Sequence, residues 1–163
     1  MVYHTSMKIQ RVYTDTSVIG GCFDSEFALW SNALIRDFRD GRRVPVLSDL
    51  TTAEIADAPP NVQAVYADLL ALSPALLALT PTVAELATVY QQRGILTPKY
   101  YADGIHIAFA TIAEVDVLVS WNFKHIVHLD KIRLFNAVNL EYGYKPLVIY
   151  SPREVASYAT EDY

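Results

Sequence analysis

Residues 115–120 read VDVLVS and residues 146–150 read PLVIY, two short runs that are apolar almost throughout. A strand with one wet face alternates apolar and polar side chains, so a run without alternation is a strand covered on both sides. Such strands belong to parallel sheets sandwiched between helices. The flanking sequence agrees. One residue ahead of VDVLVS ends GIHIAFATIA, apolar on nearly every face, in a helix that Thr97-Pro98 opens and that runs to about Glu114. After VDVLVS, the pattern predicts a short helix over Phe123–His128 and another from Asp130 to Tyr142, closed by Gly143.

Further upstream, Ala75–Leu79 reads as a strand, followed by Thr80-Pro81 as N-cap and first helical residue, with Gly94 past the end. Val44–Leu47 is a short strand in which Pro45 implies missing ladder partners on one side. Ile9–Thr14 is the first strand. Asp24 or Ser25 caps a helix whose apolar face runs Phe27, Trp30, Leu34, Phe38, and Gly41 ends it. Thr51 and Glu54 have capping-box spacing for a short helix stopped by Pro59 and Pro60, and Val62, Val65, Leu69 and Leu72 mark the next. Strands alternating with helices require right-handed crossovers. The fold class is therefore α/β, with five parallel strands between two helical layers.

The chain has 163 residues, which suits one domain. The expected domain is residues 7–155, with 1–6 as an extension or cloning scar and 156–163 as a C-terminal tail. Cys22 is the only cysteine, so neither an internal disulfide nor a cysteine-rich zinc site can form, and it reads as a small core residue. No stretch approaches the ~20 apolar residues that span a bilayer, and the first 30 residues hold no export signal, so no membrane is expected and the cytoplasm is the default. A net charge of −5 argues against a general nucleic-acid coat protein. An enzyme acting on phosphodiesters needs only a local positive groove, so that class stays open.

In parallel sheets the functional crevice lies beyond the carboxyl ends of the strands. Asp15 follows the first strand, Glu54 lies after the second, Asn122 follows the fourth, and Asp103 sits in the helix packed before the fourth. Carboxylates converging there repel by about 4 kcal/mol per pair at roughly 4 Å and an effective dielectric near 20. Such a cluster implies a divalent cation, and oxygen-only ligands favour Mg²⁺ or Mn²⁺. Each acid also has a plainer use. Asp15 can cap a turn with Thr16 and Ser17. Glu54 can be the box partner of Thr51. Asp103, expected to be largely buried in its apolar helix, must have a cation or donors.

In order, strand–Asp15-Thr-Ser, Thr-Ala-Glu54-Ile, Ala-Asp103-x-x-x-x-Ala-x-Ala and Leu-Val-Ser-Trp-Asn122-Phe resemble the PIN domain, a family that includes the VapC-type toxins of toxin–antitoxin pairs. The likeness spans roughly Met7 to Pro152. It implies a PIN-like three-layer α/β/α fold and a metal-dependent endoribonuclease. It also implies that Asp15, Glu54 and Asp103 are the metal ligands, with Ser17 a hydroxyl behind them and Asn122 orienting a water or a phosphate oxygen. RNA is the implied substrate, and an antitoxin protein and a second copy of the chain are the implied partners. Many members carry a fourth acid where this chain has Asn122, though relatives with a W-N-F-K-H run do not. The alternative is a PIN-like domain that binds RNA or protein without cutting.

The remaining candidates are weaker. His125 and His128 could share a helix face but find no third zinc ligand, and His125 could instead touch a phosphate. His106 reads as a core or crevice-wall residue. Arg36, Arg39, Arg42 and Arg43, interspersed with Asp37 and Asp40, are either a solvated helix end or a phosphate-contacting rim. Trp121 is a candidate base-stacking surface.

Overall fold

The computed structural model describes residues 8–157. The strands are β1 (Arg11–Thr14), β2 (Val44–Ser48), β3 (Ala75–Leu77), β4 (Val117–Val119) and β5 (Ile149–Tyr150), all parallel, in the order β3-β2-β1-β4-β5. The helices are α1 (Thr16–Gly20), α2 (Ala28–Arg39), α3 (Asp49–Ile55), α4 (Pro60–Leu70), α5 (Pro81–Gln92), α6 (Tyr101–Ile112), α7 (Leu129–Glu141) and α8 (Pro152–Val155). Because side chains alternate along a strand, each central strand feeds two cores. Val12, Leu47, Val117 and Val119 pack with Val18, Leu34 and Leu69 of α1, α2 and α4. Tyr13, Val46 and Leu118 pack on the other face with Leu86, Ile107 and Phe135 of α5, α6 and α7. This is the three-layer α/β/α fold expected from the uninterrupted apolar runs. Burying one such side chain is worth about 1.5–3 kcal/mol.

Local physics explains the boundaries. Val44 N–H donates to Gln10 C=O on the β1 side, so the nitrogen of Pro45 faces the β3 side. There β3 begins only opposite Val46, so no donor is missed. Thr80 caps α5 by accepting from Val83 N–H, and Gly94 takes φ +74°, as the start and stop signals require. Gly41 and Gly143, with φ +74° and +84°, likewise follow α2 and α7.

Three expectations need correction, and one open alternative is narrowed. The cap of α3 is Ser48, whose Oγ accepts from Thr51 N–H, so Thr51 and Glu54 form no capping box. Asp24 does not cap α2 directly; its carboxylate accepts from Glu26 N–H in a preceding turn. Residues 123–126 form consecutive turns rather than a helix: Asn122 Oδ1 accepts from Lys124 and His125 N–H, and Ile126 and Val127 N–H both close back onto the Asn122 carbonyl. Of the two readings of the arginine cluster, the ion pairs favour the helix end for three of its members. Arg43 holds the buried Asp37 at 2.6 Å, Arg42 approaches the same carboxylate at 4.0 Å, and Arg39 pairs with Asp68. Arg42 and Arg43 enter β2, at the end of the sheet opposite the strand carboxyl ends.

Asp37 also accepts from Ser157 N–H, and Ala156 is buried, so the chain stays packed to its last described residue. The suggested extension at residues 1–6 and the tail beyond Ser157 lie outside the described residues. Among the described residues no helix is long and apolar enough to cross a membrane.

Candidate functional site

From β1 the sheet winds one way to β2 and β3, and the later strands β4 and β5 lie on its other side. The loops leaving β1 and β4 therefore diverge, the topological switch point at which parallel sheets open a crevice. Asp15 sits there. It is the N-cap of α1: Oδ1 accepts from Val18 N–H at 3.3 Å and from Ser17 Oγ at 2.6 Å, while Oδ2 accepts from Ser120 Oγ at 2.6 Å. Trp121 N–H donates to Ser17 Oγ and Asn122 N–H to Ser120 Oγ, each at 2.9 Å. Those backbone donors occupy the serine lone pairs and turn both hydroxyl protons toward Asp15. Burial drives the Asp15 pKa up; the charge of His106, the two hydroxyls and Val18 N–H pull the other way.

Glu54 is not early in its helix; it is the sixth of the 7 residues of α3. Its Oε1 accepts from Thr16 Oγ1 at 2.6 Å and meets His106 Nε2 at 2.8 Å. The other ring nitrogen, Nδ1, lies 2.7 Å from Tyr13 Oη, which is 2.7 Å from Ser48 Oγ. An ionised carboxylate only accepts, so His106 Nε2 carries a proton toward Glu54. Burial alone would raise the Glu54 pKa, but the hydrogen bond and charge of His106, with Thr16, hold it below the usual carboxylate value. His106 is therefore buried as expected for a core histidine, yet it also touches a candidate ligand directly.

Asp103 lies in the first turn of α6 and is partly buried, with some of its surface open to the crevice. The helix begins only at Tyr101, after a 3-10 turn over Pro98–Tyr100, which places Asp103 at the open end. Its pKa is raised first by burial, while His106 opposes; the negative charges of Asp15 and Glu54 raise it further, and the Asn122 amide lowers it in part. Asn122 Oδ1 is occupied by Lys124 N–H at 3.2 Å and His125 N–H at 2.9 Å, so its NH₂ group is the end left for Asp103. Asn122 thus presents a donor, and its oxygen is spent on the turn.

Asp15, Ser17, Glu54, Asp103 and Asn122 thus share one edge of the sheet. Sequence reasoning missed Ser120, Tyr13 and Ser48, because Ser120 meets Asp15 only through the pairing of β1 with β4, and Tyr13 meets Ser48 only through that of β1 with β2. Among the described residues no three His, Cys, Asp or Glu side chains stand close enough to share one ion directly. The donor set nonetheless suits a hard cation. It is all oxygen, its charges repel one another as the raised Asp103 shows, and Mg²⁺ characteristically uses one or two carboxylates and keeps several waters.

Two candidates fall away. His125 and His128 share no helix; His125 is buried with its ring 3.8 Å from that of Tyr100, and among the described residues neither of its nitrogens has a partner. Its pKa is lowered by burial and by the charges of Lys131, Lys124 and His128. Trp121 is buried, stacked on Phe27 at 4.3 Å and tied through Nε1 to Ser31, so it offers no free face for a base.

No protein-family model matches the sequence, and neither does any curated protein. Solved structures do match the fold. A chain of FitAcB from Neisseria gonorrhoeae aligns with TM-score 0.55 at 17% identity, over 87% of this chain and 98% of that one. A chain of VapBC2 from Rickettsia felis, solved bound to a DNA fragment from its promoter, aligns with TM-score 0.52 at 14% identity, over 86% and 98%. VapC20 of Mycobacterium tuberculosis, a Sarcin-Ricin loop cleaving toxin, aligns with TM-score 0.54 at 13% identity, over 70% and 92%. The chain has the VapC-like PIN fold.

Proposed function

We propose that this VapC-like PIN fold carries a metal-dependent endoribonuclease, the toxin of a toxin–antitoxin pair. The observation that carries the reading is that Asp15, Glu54 and Asp103 lie along one edge of the sheet at the switch point, where burial and then the charges of the other two raise Asp103. A bound Mg²⁺ or Mn²⁺ would neutralise charge on the phosphoryl oxygens and acidify a water for in-line attack. Asp15, Glu54 and Asp103 are the residues to hold it, directly or through its waters. Ser17 and Ser120 fix the Asp15 carboxylate against rotation, and the Tyr13–His106 chain does the same for Glu54. The Asn122 NH₂ group is placed to donate to a phosphate oxygen as readily as to Asp103.

A second reading, a binding module that no longer cuts, is favoured by one observation: Asn122 brings no negative charge and its oxygen is engaged elsewhere. Incubating the protein with a mixed RNA pool in Mn²⁺, Mg²⁺ or chelator, and sequencing the RNA ends, separates the two. Cleavage that needs metal and is lost in Glu54→Gln supports the enzyme. Intact RNA together with retained RNA binding supports the module. For the antitoxin, or for a second copy of the chain, the apolar cleft of about 400 Å³ lined by Leu50, Ala53, Leu79, Tyr101, Ile105 and Phe109 is the proposed seat. Light scattering and co-purification from the native host test that assignment; a lone monomer would count against it.

A further inference from the structure

The loop that places Asn122 continues into Phe123, whose side chain is half-exposed. Phe23 is as exposed, so exposure alone carries nothing; Phe123 differs in following directly on Asn122 at the crevice. This one is also mounted rigidly. Its ring centroid lies 6.1 Å from Trp121 and 6.5 Å from Phe27, and those two rings are stacked on each other and pinned through Ser31. An aromatic already held in place loses little freedom when a ligand covers it.

The next residue brings charge. Lys124 Nζ lies 5.9 Å from the centre of the Tyr100 ring, and Lys99 Nζ lies 5.6 Å from the same ring. Two ammonium groups are thereby gathered on one ring three residues before Asp103, in a chain of net charge −5. Among the described residues neither lysine is paired with a carboxylate, whereas Arg39, Arg42 and Arg43 all are. Beneath them His125 supports the Tyr100 ring from the buried side. An aromatic face and two uncompensated cations, both beside the carboxylate crevice, match the alternation of base and phosphate in a nucleic-acid strand.

We propose that Phe123 with Lys99 and Lys124 forms a nucleotide subsite for single-stranded RNA: an unpaired base stacks on Phe123 and the adjoining phosphate sits between the lysines. A base within a duplex has no free face to offer, so an open strand or loop is the fitting form. The inference rests on the ribonuclease reading and names where its substrate is gripped.

The test is anisotropy of a labelled, mixed-sequence single strand of roughly ten nucleotides, titrated in chelator across a salt series. Phe123→Ala should weaken binding about tenfold and Phe123→Trp should restore it, the range expected for one base–aromatic stack. Lys99→Ala and Lys124→Ala should each lower the slope of log affinity against log salt by about 0.7. A duplex of the same sequence should bind more weakly and respond little to Phe123→Ala. Melting temperatures near wild type would show that the variants fold. Affinity of Phe123→Ala within about twofold of wild type overturns the subsite and leaves the patch to a protein partner. If wild type cleaves RNA while Phe123→Ala cleaves and binds equally well, the subsite alone fails. If wild type neither binds nor cleaves RNA, the ribonuclease reading fails with it.

Discussion

Asp103 is the residue at which the conflict between stability and function is sharpest. Its carboxylate faces the negative charges of Asp15 and Glu54, and only the Asn122 amide and the His106 charge oppose them. Asp103→Asn should abolish metal-dependent cleavage yet stabilise the chelated protein by about 1 kcal/mol, roughly 3 °C for a domain of this size. A lower melting temperature in chelator would refute this. The pH response follows with a definite sign. Asp15 and Asp103 have pKa values raised above their unfolded ones, so their contribution is fully present below the ordinary carboxylate value and is lost as pH rises through the raised values. Chelated wild type should therefore gain stability as pH falls from neutral toward the upper carboxylate range, and Asp103→Asn should gain less. Glu54 and Asp116, held low, lose their contribution only at still lower pH. Melting curves that are flat or falling across the first window would contradict the assignment. Asn122→Asp reverses the exchange. It replaces a donor facing Asp103 with a fourth negative charge, so it should tighten Mn²⁺ binding about tenfold, on the order of 1.4 kcal/mol, while lowering the apo melting temperature. Calorimetry showing unchanged affinity would mean that residue 122 does not face the cation.

Among the elements, the turn leaving β4 does most to shape the site, and it was the least legible. The sequence WNFKH suggested a helix because its spacing permits one, and Asn122 does cap two backbone donors, but Ile126 and Val127 N–H both return to the Asn122 carbonyl and the turns end there. By contrast, Thr80-Pro81 and Gly94 announced α5 correctly, since capping is a local interaction that the sequence alone can specify. The acids could be placed at strand ends for the same local reason. The hydroxyls that hold them could not, because Ser120 meets Asp15 only through the pairing of β1 with β4. The β4 turn is buttressed by a close approach: a Cβ on Gly21 would lie 2.6 Å from Ser31 Oγ and 2.8 Å from Trp121 Nε1. Gly21→Ala should force that hydrogen-bonded pair apart, cost about 1–3 kcal/mol and disturb Asn122. Urea denaturation of the variant checks the first, and its metal requirement the second. A cost under about 0.5 kcal/mol would show that the turn can yield.

At the scale of the whole molecule, the parallel sheet was readable from runs such as VDVLVS, whereas strand order was not, since apolar runs do not say which neighbour they choose. The end of the sheet away from the site is bound by one buried ion pair. Asp37, 2% exposed, takes Arg43 at 2.6 Å and the N–H of Ser157, joining α2, the start of β2 and the end of the described chain. Arg43→Ala should cost about 3 kcal/mol by leaving that carboxylate buried without its closest cation, and the double change Asp37→Asn with Arg43→Met should recover much of it. Denaturation midpoints of both variants test the pair, and equal losses in the two would refute it.

The central position of β1 has a consequence in time. Its carboxyl end emerges early in synthesis, yet the hydroxyl that fixes one oxygen of Asp15 belongs to Ser120, 105 residues later. At roughly 5–20 residues per second, that leaves about 5–20 s during which the nascent chain holds its first acid without the strand that completes the crevice. The crevice therefore stays incomplete until β4 has emerged and paired with β1, and the activity proposed here would begin only after that.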